Sequence, residues 1–138
     1  MRPETVPNKP SKGASVITAI RDDDCDKQIG IALNPATPVS DIEAVVGLVD
    51  FVHFMTVEPG FYGGKFVPNV IDKIKDFHYF YPDKPISVDG GVNPGNAKQL
   101  VEAGASMLVV GSYIFKSNNI IKATEQLKNI QWRELFSA

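Results

Sequence analysis

The chain has 138 residues, the size of one ordinary domain, and its 43% hydrophobic and 22% charged residues are the balance of a globular chain rather than a disordered one. Fourteen Lys and Arg against sixteen Asp and Glu leave a formal charge of −2, so there is no basic excess to attract a phosphodiester backbone, which argues against a dedicated nucleic-acid binder. No apolar run reaches the ~18 residues of a membrane span, the first ten residues lack the apolar core of a secretory signal, and the lone Cys25 cannot form an internal disulfide, which together predict a cytoplasmic chain without a membrane partner.

Residues 1–12 are polar and carry Pro3, Pro7 and Pro10, which predicts a poorly ordered lead-in to a domain over 13–130, with 131–138 as a tail. Val16, Ile17 and Ile20 have helical spacing. The run Asp22-Asp23-Asp24 with Asp26 opposes the helix dipole and closes that helix as a solvated turn. Gln28 to Leu33 is a short apolar run ended by Asn34-Pro35, and Ser40 to Val46 reads as a capped helix with an apolar face at Ile42, Val45 and Val46. Phe51 to Thr56 is the next apolar run, followed by a glycine-rich loop from Pro59 to Gly64. Val70, Ile71, Ile74 and Phe77 form one helical stripe within Val67 to Tyr79. Ile86-Ser87-Val88 is a third run, ended by Asp89-Gly90-Gly91; Asn93 then caps a helix that has Pro94 in its first position and reaches Ala103. Met107 to Val110 is a fourth run, ended by Gly111-Ser112, and a last helix is predicted over Asn119 to Asn129.

Short continuous apolar strands alternating with amphipathic helices predict an α/β fold with a parallel sheet. Asn34-Pro35, Glu58-Pro59-Gly60, Asp89-Gly90-Gly91 and Gly111-Ser112 all fall just past the C-terminal ends of strands, the active face of a (β/α) barrel. No Gly-x-Gly-x-x-Gly follows the first strand, so a dinucleotide fold has little support. Three glycine loops aimed at one sheet edge let backbone N–H groups approach an anion closely, and the helix that follows each adds partial positive charge. They are Gly60-Phe61-Tyr62-Gly63-Gly64, Gly90-Gly91 and Gly111-Ser112, a predicted cradle for one phosphate. Asp89 ends a strand and precedes two glycines, so its carboxylate is predicted to project into the pocket mouth, suited to proton transfer or cation binding; Asn93 takes the capping role that would otherwise explain it.

The segments Asn34 to Pro38, Met55-Thr56-Val57-Glu58-Pro59-Gly60-Phe61, Val88-Asp89-Gly90-Gly91-Val92-Asn93 and Val110-Gly111-Ser112-Tyr113-Ile114-Phe115 resemble, in order, the ribulose-phosphate 3-epimerase family. The resemblance runs from about Ser15 to Lys128. It implies that the four strands are the last four of a (β/α)8 TIM-type barrel, so that the chain is half of one. It implies Asp89 as an acid/base group and a ligand to a divalent cation (Zn, Fe, Mn or Co). Gly60, Phe61, Tyr62, Gly63, Gly90, Gly91, Gly111 and Ser112 would hold the phosphate of a ketopentose 5-phosphate, with Met55 beside the reacting carbons. The implied reaction inverts C3 through an enediolate, interconverting ribulose and xylulose phosphates. Tyr62 stands where the family loop usually has glycine, and the family's opposing aspartate, two histidine ligands and a serine come from earlier strands with no match here. His53, two residues before Met55, is expected inside the barrel one layer deeper as a core histidine, and His78 at the end of an exposed helix.

Half a barrel leaves the strands at Ile29 and Met107 as open edges and its inner face uncovered. Such a surface predicts association, with a second copy or with a chain that completes the barrel. The alternative to an epimerase is a noncatalytic phosphosugar-binding or assembly fragment. A different phosphate-binding barrel enzyme, of tryptophan or thiamine biosynthesis, is disfavoured by the Met55 to Phe61 segment.

Overall fold

In the computed structural model of the chain, residues 12–60 and 64–130 are described, so most of the expected lead-in and all of the expected tail lie outside the described residues. Helix α1 (Lys12–Asp23) leads to strand β1 (Gly30–Leu33), two short 3-10 turns (Val39–Asp41 and Val46–Leu48) and β2 (Phe51–Met55). Then come α2 (Asn69–Phe80), β3 (Ile86–Asp89), α3 (Pro94–Ala103), β4 (Met107–Val109), a one-turn α4 (Ser112–Phe115) and α5 (Ile120–Lys128). The strands form a single four-stranded sheet in the order β1-β2-β3-β4, every pair parallel. That is the α/β, TIM-barrel-type arrangement expected from the alternation of apolar runs and helices.

Side chains alternate across a strand, and here the two faces meet different surroundings. Val52, Phe54, Ile86 and Val88 point to the helix-covered face and are fully buried, each worth about 1.5–3 kcal/mol as burial bookkeeping. Val70, Ile71, Ile74 and Phe77 of α2 are the buried stripe that covers them, and the Phe77 ring meets Phe54 edge to face at 5.5 Å. Helix α3 begins as its sequence predicts: Asn93 accepts from the N–H groups of Gly95 and Asn96, while the Asn96 side chain accepts from the Asn93 N–H. Asn119 caps α5 by accepting from the Lys122 N–H.

The opposite sheet face carries Phe51, His53 and Met55 on β2, Ser87 and Asp89 on β3, and Met107 and Val109 on β4, matched by the register His53↔Ser87, Met55↔Asp89 and Asp89↔Val109. Among the described residues no helix covers it, and Met107 and Val109 remain 59% and 40% exposed. This is the open inner face anticipated for half a barrel.

Two local expectations are corrected. Residues Ser40 to Val46 do not form an α-helix: they run from the end of the first 3-10 turn, through hydrogen-bonded turns at 42–45, to the start of the second. Ile42, Val45 and Val46 are nonetheless buried, so burial rather than helix formation explains their spacing; the β-branched run and Gly47 disfavour propagation past one turn. His78 is not a free surface residue: it is half-buried, packed so closely over Gly104 (φ +122°) that a Cβ there would stand 2.5 Å from the imidazole Cγ. The acidic run behaves as a solvated turn, with Asp24 accepting from the Asp26 N–H and pairing with Lys27 at 3.3 Å.

Candidate active site

The C-terminal edge of the sheet opens into a cleft of about 670 Å³ lined by Met55, Val57, Gly64, Asp89, Gly90, Gly91, Val92, Val109, Gly111, Ser112, Phe115 and Lys116. Seven of the residues singled out from sequence therefore meet in one place: Met55, Gly64, Asp89, Gly90, Gly91, Gly111 and Ser112. Gly60, with φ +88°, turns the chain just outside this lining, and Phe61, Tyr62 and Gly63 lie outside the described residues. The helix that opens at Ser112 is a single turn, so the polar groups that loop offers are local N–H groups and the Ser112 hydroxyl rather than a long helix dipole.

The Asp89-Gly90-Gly91 loop is held from beneath. Thr56, wholly buried, donates its backbone N–H to the Asp89 carbonyl at 2.9 Å and its hydroxyl to the Gly90 carbonyl. Its own carbonyl accepts from the Val67 N–H at 2.7 Å, tying the loop to the segment before α2. At Gly90 (φ +127°) a Cβ would stand 2.8 Å from Val57 Cγ2 and 2.9 Å from the Val57 backbone nitrogen, so no side chain fits. Gly91 (φ +66°) is similarly crowded by Phe66, 3.2 Å away.

Asp89 is partly exposed toward the cleft, and His53 stands beside it, Nε2 3.9 Å from Oδ2. The other imidazole nitrogen, Nδ1, is hydrogen-bonded to Ser87 Oγ at 2.9 Å. Ser87 is buried and, among the described residues, His53 is the partner of its hydroxyl; donation to Nδ1 satisfies that hydroxyl and leaves the proton on Nε2 facing the Asp89 carboxylate. His53 does lie one layer below Met55, as expected, but it sits half-buried on the open face as a neighbour of Asp89 rather than enclosed in a core.

A divalent cation in a catalytic site generally takes about three protein ligands. Asp89 and His53 are two groups of suitable chemistry, but among the described residues no cluster of three or more His, Cys, Asp or Glu exists. The described residues therefore do not make up a complete metal centre.

Sequence reading missed Val109 and Lys116 as cleft residues. Val109 follows Met107 by two and so shares its inner face, a signal available from strand alternation. Lys116 is four residues after Ser112, and the one-turn helix brings both to the cleft; the Lys116 N–H donates to the Ser112 carbonyl at 2.9 Å. Elsewhere, Lys73 holds the loop after β1, donating to the carbonyls of Asn34, Pro35 and Thr37 at 3.1, 2.7 and 2.7 Å, and burial pushes its amine below the usual lysine range.

Among the described residues no helix is long and apolar enough to cross a membrane. The sequence matches the ribulose-phosphate 3 epimerase family over residues 6–115. It is 42% identical over 103 residues to the chloroplastic ribulose-5-phosphate-3-epimerase of Arabidopsis thaliana, covering 72% of this chain and 37% of that protein. It is 42% identical over 104 residues to ribulose-phosphate 3-epimerase of Bacillus subtilis, covering 72% and 48%, and 32% identical over 142 residues to that of Escherichia coli K12, covering 90% and 62%. The chain thus spans between about one third and two thirds of the length of these relatives. Among solved structures it shares its fold with a thiamine phosphate pyrophosphorylase from Pyrococcus furiosus, with TM-score 0.66, 18% identity, and coverage of 98% of this chain and 58% of that one. A 3-hexulose-6-phosphate synthase follows with TM-score 0.62, 19% identity, and coverage of 84% and 56%. Family match and relatives together establish that the chain belongs to the ribulose-phosphate 3-epimerase family.

Proposed function

We propose that this chain carries one side of an epimerase site that inverts C3 of D-ribulose 5-phosphate and D-xylulose 5-phosphate. The observation that carries the reading is the placement of Asp89 in the same cleft as Gly90, Gly91, Gly111 and Ser112. A carboxylate then faces the sugar carbons while backbone N–H groups and a hydroxyl receive the phosphate. Met55, paired with Asp89 in the sheet register, supplies an apolar wall beside the reacting carbons. By the family resemblance Gly60, Phe61, Tyr62 and Gly63 would also contact the phosphate.

In this account Asp89 takes the proton from C3, next to the carbonyl, and the electron pair passes into an enediolate. Return of a proton to the opposite face inverts the centre, and a group on that face must supply it. That group, and further ligands to a divalent cation beside Asp89, would come from strands covering the open inner face. The exposure of Met107 and Val109 on that face supports a requirement for such strands, whether from a complementing half-barrel or from a second copy. The same exposure favours, as second reading, a noncatalytic phosphosugar-binding fragment that becomes an enzyme only when the barrel is completed.

The test is epimerisation of D-ribulose 5-phosphate by the purified chain, with and without added Mn, Fe, Co or Zn, with solution mass measured in parallel. Turnover that Asp89→Asn abolishes without loss of phosphosugar affinity supports the enzyme. Binding without turnover supports the fragment, and absence of both overturns the assignment.

A further inference from the structure

The main cleft is joined by a second, of about 430 Å³, lined by Gly91, Val92, Asn93, Ser112, Tyr113, Lys116 and Ser117. Gly91, Val92, Ser112 and Lys116 line both. Asp89 and Met55 line only the first, so the shared residues mark the part of the site set apart from the carboxylate. Among the described residues lining the two clefts, Lys116 is the one cation. Its place follows from local structure: α4 is one turn, Lys116 is its C-cap residue, and a spacing of four along a helical turn stacks Lys116 on the same face as Ser112.

A phosphate monoester carries nearly two negative charges at neutral pH. The glycine N–H groups and the Ser112 hydroxyl offer it dipoles, not charge, and Asp89 in the same cleft adds a negative charge. We propose that Lys116 is the cationic partner of the phosphate, a specificity-determining residue that makes the cleft prefer a phosphorylated sugar. This rests on the phosphosugar reading of the cleft. An ammonium–phosphate contact is charge-assisted and, unlike the backbone contacts, responds to salt and to removal of one charge.

The experiment is titration of the full chain with D-ribulose 5-phosphate and with inorganic phosphate, for the parent, Lys116→Gln and Lys116→Arg, at two salt concentrations. Lys116→Gln is expected to weaken both ligands about tenfold and to flatten the salt dependence. Lys116→Arg, which keeps the charge, is expected to retain most of the affinity. Unchanged affinity in Lys116→Gln, equal loss in both variants, or no binding of either ligand by the parent overturns the proposal. Weakened phosphate binding in a chain that never epimerises would uphold Lys116 and remove the epimerase reading. Turnover with unchanged phosphate affinity in Lys116→Gln would do the reverse.

Discussion

His53 and Asp89 face one another diagonally across β2 and β3, the imidazole Nε2 3.9 Å from the carboxylate Oδ2, with Ser87 directly opposite His53 in the register and hydrogen-bonded to its Nδ1. The imidazole thus contacts both the hydroxyl and, one layer up at the cleft, the carboxylate of the neighbouring strand. Replacing His53 with Leu leaves the buried Ser87 hydroxyl without its partner, which costs about 1–3 kcal/mol. Adding Ser87→Ala removes the stranded group, so the double variant is expected to recover part of that loss. A double-mutant cycle by urea unfolding measures it; strict additivity would show that the two residues do not interact.

The glycines of the cleft divide by physical constraint. Gly90→Ala forces a Cβ onto Val57 at a φ of +127° and is expected to cost on the order of 2 kcal/mol or more while displacing the loop that carries Asp89. Gly111 has φ −114° and open space around it, so Gly111→Ala leaves stability nearly unchanged. Thermal unfolding of the two variants checks this contrast. A loss of phosphosugar affinity in Gly111→Ala at unchanged stability then reports on the ligand rather than on the fold.

Asp50 ties the start of β1 to the start of β2. The Ile29 N–H, 2.6 Å from Oδ2, holds its carboxyl below the ordinary value of 3.8, helped by Arg21 and opposed by partial desolvation. A depressed folded-state value means that the contribution is fully present above the ordinary carboxylate value and is lost as pH falls through the lower, folded one. Urea midpoints of the parent are therefore expected to fall more steeply under acid, below about pH 4, than those of Asp50→Asn. Parallel pH profiles would show that Asp50 does not contribute.

Much of this was legible in the sequence, for identifiable reasons. Continuous apolar runs such as Ile86 to Val88 are what a sheet buried by helices requires, and the Asn93-Pro94 signal marks a helix start whatever surrounds it. Residues just past strand ends converge because parallel strands place all their C-terminal ends on one edge, and this rule alone gathers Asp89, Gly90, Gly111 and Ser112. The Ser40 to Val46 segment was misread because a helical spacing of buried residues is also satisfied by consecutive 3-10 turns. The approach of His53 to Asp89 was hidden because diagonal contacts depend on strand register, which periodicity alone does not give. Lys116 was missed because Tyr113, Ile114 and Phe115 do not announce a helix of one turn.

The central claim is that Asp89 removes the C3 proton, and proton exchange tests it more directly than inversion does. A single base on one face can withdraw and return the proton without help from the opposite face, exchanging it with solvent even where epimerisation needs additional strands. D-ribulose 5-phosphate and D-xylulose 5-phosphate incubated with the chain in D2O and followed by proton NMR would report loss of the C3 proton signal. The account predicts exchange of at least one epimer by the parent and none by Asp89→Asn at equal phosphosugar occupancy. Equal exchange by both proteins, or none by the parent with ligand bound, would contradict it.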